Sequence, residues 1–187
     1  MTIFALHSPE ASLVLEQSGD ALLWRHLGLP VETTGLPPLA STRGAATFSL
    51  DEDVPFATAP SLGWFGPLAV SVAGRVLRWV VTDIVADEMS LRVTLADSDT
   101  GLLLEQCFRV LTGGGIEISA TLGNDGPVPI AVEHLASALL LLPAGLDRIL
   151  SWRGRHAAEF VECLEPLPAH QWLRETRRGL PGHGGPP

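Results

Sequence analysis

Short apolar runs broken by clusters of Gly, Pro, Ser and Asp recur along the chain. The earlier ones are Leu13-Val-Leu-Glu, Ala21-Leu-Leu-Trp-Arg-His, Ala46-Thr-Phe-Ser-Leu and Leu68-Ala-Val-Ser-Val. Runs of this length between turn formers read as β-strands. From Arg75 they follow closely: Arg75-Val-Leu-Arg-Trp-Val-Val-Thr, Ser90-Leu-Arg-Val-Thr-Leu-Ala, Leu102 through Leu111, Ile116-Glu-Ile-Ser-Ala-Thr-Leu, and Val128 through His134. Leu91, Val93 and Leu95 face one way while Arg92 and Thr94 face the other, the period-two pattern of a half-buried strand. Asp97-Ser-Asp-Thr-Gly101 and Thr112-Gly-Gly-Gly115 supply residues that tolerate positive φ, so a tight reversal is expected at each. The pattern predicts an all-β chain, an antiparallel β-sandwich built from consecutive hairpins. The Leu-rich stretch 136–150 is ambiguous: a buried helix and a strand buried on both faces share that pattern, and Pro143 and Gly145 interrupt it. Segment 29–43 reads as a loop and 180–187 as a loop or tail, both rich in Pro and Gly.

Length and charge narrow the classes. With 187 residues the chain holds one sizeable core, so 1–187 is expected to be a single domain. It carries 12 Lys and Arg, all of them Arg, against 21 Asp and Glu, for a formal charge of -9. An acidic chain with no basic stripe has no electrostatic footprint for nucleic acid. Cys107 and Cys163 lie in apolar, strand-like contexts and read as two buried small hydrophobes rather than a disulfide framework or metal site. The first residues lack a basic segment followed by a long apolar one, and no run is long enough to span a bilayer, so a cytoplasmic protein with no membrane partner is expected. Hydrophobic residues make up 46 % of the chain and mean hydropathy is +0.27. The outer faces of a sandwich should be polar, so this excess points either to surface that another domain or subunit covers, or to a coding bias towards aliphatic residues.

Candidate chemistry is sparse. The carboxylates Asp51-Glu52-Asp53, Asp83, Asp87-Glu88, Asp97 and Asp99 fall in turns or on polar strand faces and read as solvated. His26, His134, His156, His170 and His183 show no metal-ligand spacing, and neither Gly-rich turn has the ligands of a calcium loop or the helix start of a phosphate loop. No metal and no cofactor are expected. Ser137, His134 and Asp147 lack a nucleophile elbow. Trp79 and Trp152 read as core. Trp64-Phe65 lies in a loop rich in Gly and Pro, where an aromatic face and an indole N–H could serve as a sugar platform.

Two stretches near the end carry a family resemblance. Leu150-Ser-Trp152-Arg-Gly154-Arg155-His156-Ala-Ala-Glu159 resembles a G-R-W-x-R-E signature, and Arg177-Arg178-Gly179-Leu-Pro-Gly-His183-Gly-Gly-Pro186 resembles R-G-x-S-S-H-x-x-N-P. Both belong to the amino-terminal domain of glycoside hydrolase family 36, the α-galactosidases. Upstream, Leu23-Trp24-Arg25-His26-Leu27-Gly28 is similar to L-x-H-x-Y-W-G. Gly63-Trp64-Phe65-Gly66-Pro67 sits at G-D-F-R-x-P, Asp97 to Gly101-Leu102 at D-x-x-x-G-L, and Asn124-Asp125-Gly126 at N-x-G. The resemblance picks out Gly154, Arg155, Glu159, Arg178 and Gly179 as family-motif positions, and Trp64, Phe65 and His183 as residues near the substrate end of the assembly. There are departures. Trp64 and Gly66 replace the Asp and Arg of G-D-F-R, His156 and Ala158 stand in G-R-W-x-R-E, and Pro181 and Gly182 replace the two serines.

The resemblance implies a β-supersandwich that precedes a catalytic β/α barrel holding both catalytic aspartates, the nucleophile in a K-W-D motif. This chain has no Lys and therefore no K-W-D, so it is expected to contribute no catalytic residue. It stops inside the R-G-x-S-S-H segment, so it is expected either to be cut short before the barrel or to carry a pared-down sandwich, with unpaired strand edges in both cases. The function implied is that of a non-catalytic domain which supports the barrel, helps close the pocket and makes homo-oligomer contacts. The parent enzyme would hydrolyse terminal α-galactosides with retention. The alternative is a stand-alone carbohydrate-binding or subunit-interaction module. A mutarotase-like enzyme would need a convergent His/Glu pair, and Glu133 and His134, as strand neighbours, point to opposite faces.

Overall fold

The computed structural model describes residues 2–19, 21–36, 55–59, 66–140, 146–155 and 158–167. They divide between two compact units, Met1–Leu142 and Pro143–Pro187. The strands are β1 (Thr2–His7), β2 (Ser12–Ser18), β3 (Ala21–Gly28), β4 (Val70–Val72), β5 (Val80–Ala86), β6 (Ser90–Asp97), β7 (Leu102–Val110), β8 (Ile116–Asn124), β9 (Val132–Leu135), β10 (Arg148–Arg155) and β11 (Ala158–Pro166). Among the described residues the helical content is a single 3-10 turn, Thr33–Gly35, so the fold is all-β.

In the first unit β1-β2-β3 form an antiparallel meander and β5-β6-β7-β8 form a second, four-stranded one, with the short pair β4-β9 beside them. The inner face of the larger sheet follows from strict alternation. Leu91 lies opposite Phe108, Val93 opposite Gln106 and Leu95 opposite Leu104, and all six side chains are buried. Leu6, Leu13, Leu15, Leu22 and Trp24 from the smaller sheet share their core. Trp24, Phe56 and Phe108 make a triangle of rings with centroids 5.5 to 6.1 Å apart. Gln106, the polar side chain in that apolar row, is tied down by donating to the Ser137 carbonyl at 3.1 Å.

The expected strands at Leu13, Ala21, Ser90, Leu102 and Ile116 form, and both Gly-rich reversals join antiparallel neighbours. Several expectations shift. The run from Arg75 becomes strand only at Val80, because Leu77 and Trp79 turn into the core and the Arg78 N–H is taken by the Asp97 carboxylate at 2.9 Å. The run from Val128 pairs only from Val132. β1 was not foreseen: Thr2 to His7 pairs with β2 along its whole length. Within 136–150, strand begins at Arg148, and 136–140 is irregular. The expected strand at Ala46–Leu50 lies outside the described residues.

The described part of the second unit is the hairpin β10-β11, with Leu150 opposite Leu164, Ser151 opposite Cys163 and Trp152 opposite Glu162. Ser151 is buried, while Leu150, Trp152 and Leu164 on the other face are each 42 to 50 % exposed. Trp152 was expected in the core. It stands out of it because its place in the alternation puts it one residue from Ser151, on the opposite face.

Candidate functional site

The expected sugar-contact residues Trp64, Phe65 and His183, and the motif positions Arg178 and Gly179, lie outside the described residues. Gly154 and Arg155 close β10 and Glu159 is the second residue of β11, so one hairpin end carries all three, with a register shift between Arg153 and Arg155.

Two of the other described motif segments meet. Asp97 ends β6 and was expected to be solvated, yet it is buried. One carboxylate oxygen accepts the Arg78 N–H at 2.9 Å, and the other accepts the Thr100 N–H at 3.1 Å and the Thr100 hydroxyl. The Gly101 N–H donates to the Asp97 carbonyl at 2.8 Å, and Gly101 has φ +76°, a conformation that favours glycine. The Asn124 side chain accepts the Gly126 N–H at 3.0 Å and donates to the Val128 carbonyl at 2.9 Å. The Asp125 N–H then donates to the Gly101 carbonyl at 2.9 Å, joining the two turns. The approach is so close that a Cβ on Gly126 would stand 2.4 Å from the Thr100 oxygen, and one on Gly101 would stand 2.6 Å from the Gly126 nitrogen. Asp97, Gly101, Asn124 and Gly126 thus form an interlocked pair of turns whose donors and acceptors are spent on each other. Its chemistry is architectural.

A profile of glycosyl hydrolase family 36 N-terminal domains matches residues 21–187. The chain belongs to this family. The interlocked turns are therefore part of the frame of a family 36 N-terminal domain. No curated protein matches the chain.

Sequence reasoning missed two other polar sites of this domain. Glu16, in the central strand β2, is buried and paired with the largely buried Arg25 of β3. Its other oxygen, Oε1, has no hydrogen-bond partner among the described residues. A charge set inside the run Leu13-Val-Leu-Glu was the available signal, since burial of a carboxylate requires a cation close by. Ser12, fully buried, lies 2.8 Å from Nδ1 of His7 and accepts the Val31 N–H at 3.1 Å. That contact has the spacing of a nucleophile and base, but the hydroxyl is sealed from solvent and anchors the chain beyond β3.

Cys107 and Cys163 are partly buried, less buried than expected. Burial, with the nearby Glu105 carboxylate, pushes the Cys107 thiol up from its usual value, which disfavours the reactive thiolate. Asp87 is held below the usual carboxylate value by the N–H of Met89, and by the hydroxyl and N–H of Ser90. Among the described residues no group of three or more His, Cys, Asp and Glu is placed to hold a metal ion, and no helix is long and apolar enough to cross a membrane. Glu133 and His134 are both exposed on β9, and Glu133 accepts the Ser71 hydroxyl at 2.9 Å. In the hairpin, Asp147, Arg148, Leu164, Glu165 and Pro166 line a cleft of about 380 Å³. Among the described residues it offers charged groups and no aromatic face for a sugar ring.

Proposed function

We propose that this domain is the non-catalytic N-terminal part of an α-galactosidase-like glycoside hydrolase, bracing the catalytic barrel, helping to close its pocket and making homo-oligomer contacts. The parent enzyme would act in the cytoplasm on terminal α-galactosides, with retention of configuration. The family match carries the reading. It is supported by the use of the Asp97 carboxylate as a turn lock rather than as a free acid, and by the apolar face of Leu150, Trp152 and Leu164 on the hairpin. A row of half-exposed Leu and Trp on a two-stranded sheet loses free energy in water and gains it against a neighbouring domain.

The purified chain, assayed on an aryl α-galactoside, is expected to release no aglycone above background. Activity that follows the protein peak through chromatography would overturn the non-catalytic reading. Calorimetric titration with galactose and an α-galactoside separates the stand-alone binding module from the bracing domain. Heat of binding that disappears in Trp64→Ala would favour the module.

A further inference from the structure

The two edges of the four-stranded sheet differ. β5 breaks register with β6 between Val81 and Asp83, carries the exposed Asp83, and ties Thr82 back to the Thr94 carbonyl at 3.1 Å. A bulge and an outward charge are the ordinary devices that stop a sheet edge from pairing. β8, at the opposite edge, has no bulge. It pairs with β7 over nine consecutive residues without a shift, contains no Pro, and among the described residues has no strand on its other side. Its one charge, Glu117, is neutralised by Arg109 at 2.6 Å. On the inner face Ile116, Ile118, Ala120 and Leu122 pack against the core and are partly buried, so apolar side chains reach this edge.

The sequence of β8 adds a second observation. Ile118-Ser119-Ala120-Thr121-Leu122 reads almost the same in both directions: Ile mirrors Leu, Ser mirrors Thr, and Ala120 is the centre. We infer that the β8 edge is where a second copy of this chain binds, by antiparallel pairing about a two-fold axis at Ala120. In that register Ile118 faces Leu122 of the other copy on the inner side, and Ser119 faces its Thr121 on the outer side. Glu117 falls opposite Gly123 rather than a second carboxylate, so the register brings no like charges together. Such an isologous contact closes on itself and merges two four-stranded sheets into one continuous sheet. This rests on the oligomer reading above and names its surface.

The test is the mass of the full chain in solution by light scattering and sedimentation, as a function of concentration. The unaltered chain is expected to form a dimer or a multiple of one. Ser119→Lys with Thr121→Lys places like charges directly opposite across the axis on solvent-facing positions. It should weaken association roughly tenfold or more while leaving the circular dichroism, and the melting temperature at concentrations where the chain is monomeric, unchanged. A mixture of Ser119→Cys and Thr121→Cys chains should cross-link on mild oxidation far more than either alone. If the chain associates but the double Lys variant associates equally well and the mixture gives no extra cross-link, the β8 edge is wrong and the oligomer reading stands. A chain that is monomeric at every concentration overturns both.

Discussion

In the first unit the central strand β2 has Ser12 through Glu16 entirely out of solvent, and the inner faces of two sheets close on the Trp24, Phe56 and Phe108 rings. In the second, β10 and β11 follow the same alternation of side chains, but Leu150 and Leu164, directly opposite each other, are each about half exposed. Pairing of strands satisfies the backbone in both. What differs is the presence of a second layer: a two-stranded sheet by itself is marginal in water, and stability comes from the face that another element covers. One region is a finished core, and the other is a surface shaped for covering.

The largest expected effect tests that contrast with one substitution in both places. Leu104→Ala deletes a fully buried side chain from the inner row of β7 and should destabilise the first unit by roughly 2–5 kcal/mol. Leu164→Ala removes a side chain that already has half its surface in water, and should cost no more than about 1 kcal/mol. Chemical denaturation followed by Trp fluorescence reads both. Equal losses would mean that the hairpin face is covered as fully as the core, and would remove the support it lends to a docking role.

Much of the core was legible, because the strands around it alternate cleanly: Leu91, Val93 and Leu95 announced the inner face of β6. Trp152 was misread because an aromatic residue was assigned by type, whereas its place beside Ser151 decides which way it points. Asp97 was misread for the converse reason. A carboxylate in a turn is ordinarily solvated, and nothing local to Asp97-Ser-Asp-Thr-Gly101 reveals that the Arg78 N–H needs an acceptor there. β1 was missed because its pattern, Thr-Ile-Phe-Ala-Leu-His, gains meaning only once β2 is beside it. The pairing of Glu16 with Arg25 needed the register of β2 against β3, which no local pattern supplies. The candidate sugar-contact residues Trp64, Phe65 and His183 rest on their resemblance to family motifs and lie outside the described residues.

A smaller effect should come from the interlocked turns, which hold the first unit together by shape rather than by burial. Gly126→Ala would force a methyl group to within 2.4 Å of the Thr100 oxygen, so backbone must move and the Asp125–Gly101 hydrogen bond is strained. A loss of roughly 1–3 kcal/mol is expected. Gly123→Ala is the matched control, since its Cβ would meet nothing closer than the Leu103 Cβ at 3.8 Å and should be nearly neutral. If the two variants melt together, the turns are not locked and their family signature needs another explanation.

The smallest effect is confined to acid pH and concerns the turn between β5 and β6. Asp87 accepts the N–H of Met89 at 2.8 Å and of Ser90 at 2.7 Å on one oxygen, and the Ser90 hydroxyl at 2.8 Å on the other. These bonds favour the charged form, which lowers its pKa in the folded chain below the usual 3.8. A carboxyl of this kind binds its proton more readily when unfolded. Its contribution to stability is therefore complete above about 3.8 and fades as pH falls through the lower, folded value. Asp87→Asn keeps the shape and an acceptor oxygen but cannot titrate. The melting temperature of the unaltered chain should exceed that of Asp87→Asn at neutral pH, and the gap should narrow as pH drops below about 4. A gap that stays constant across that window would mean that the turn is held by its backbone bonds, the Asp87 N–H to the Ser90 carbonyl and the Val110 N–H to the Met89 carbonyl, and not by the charge.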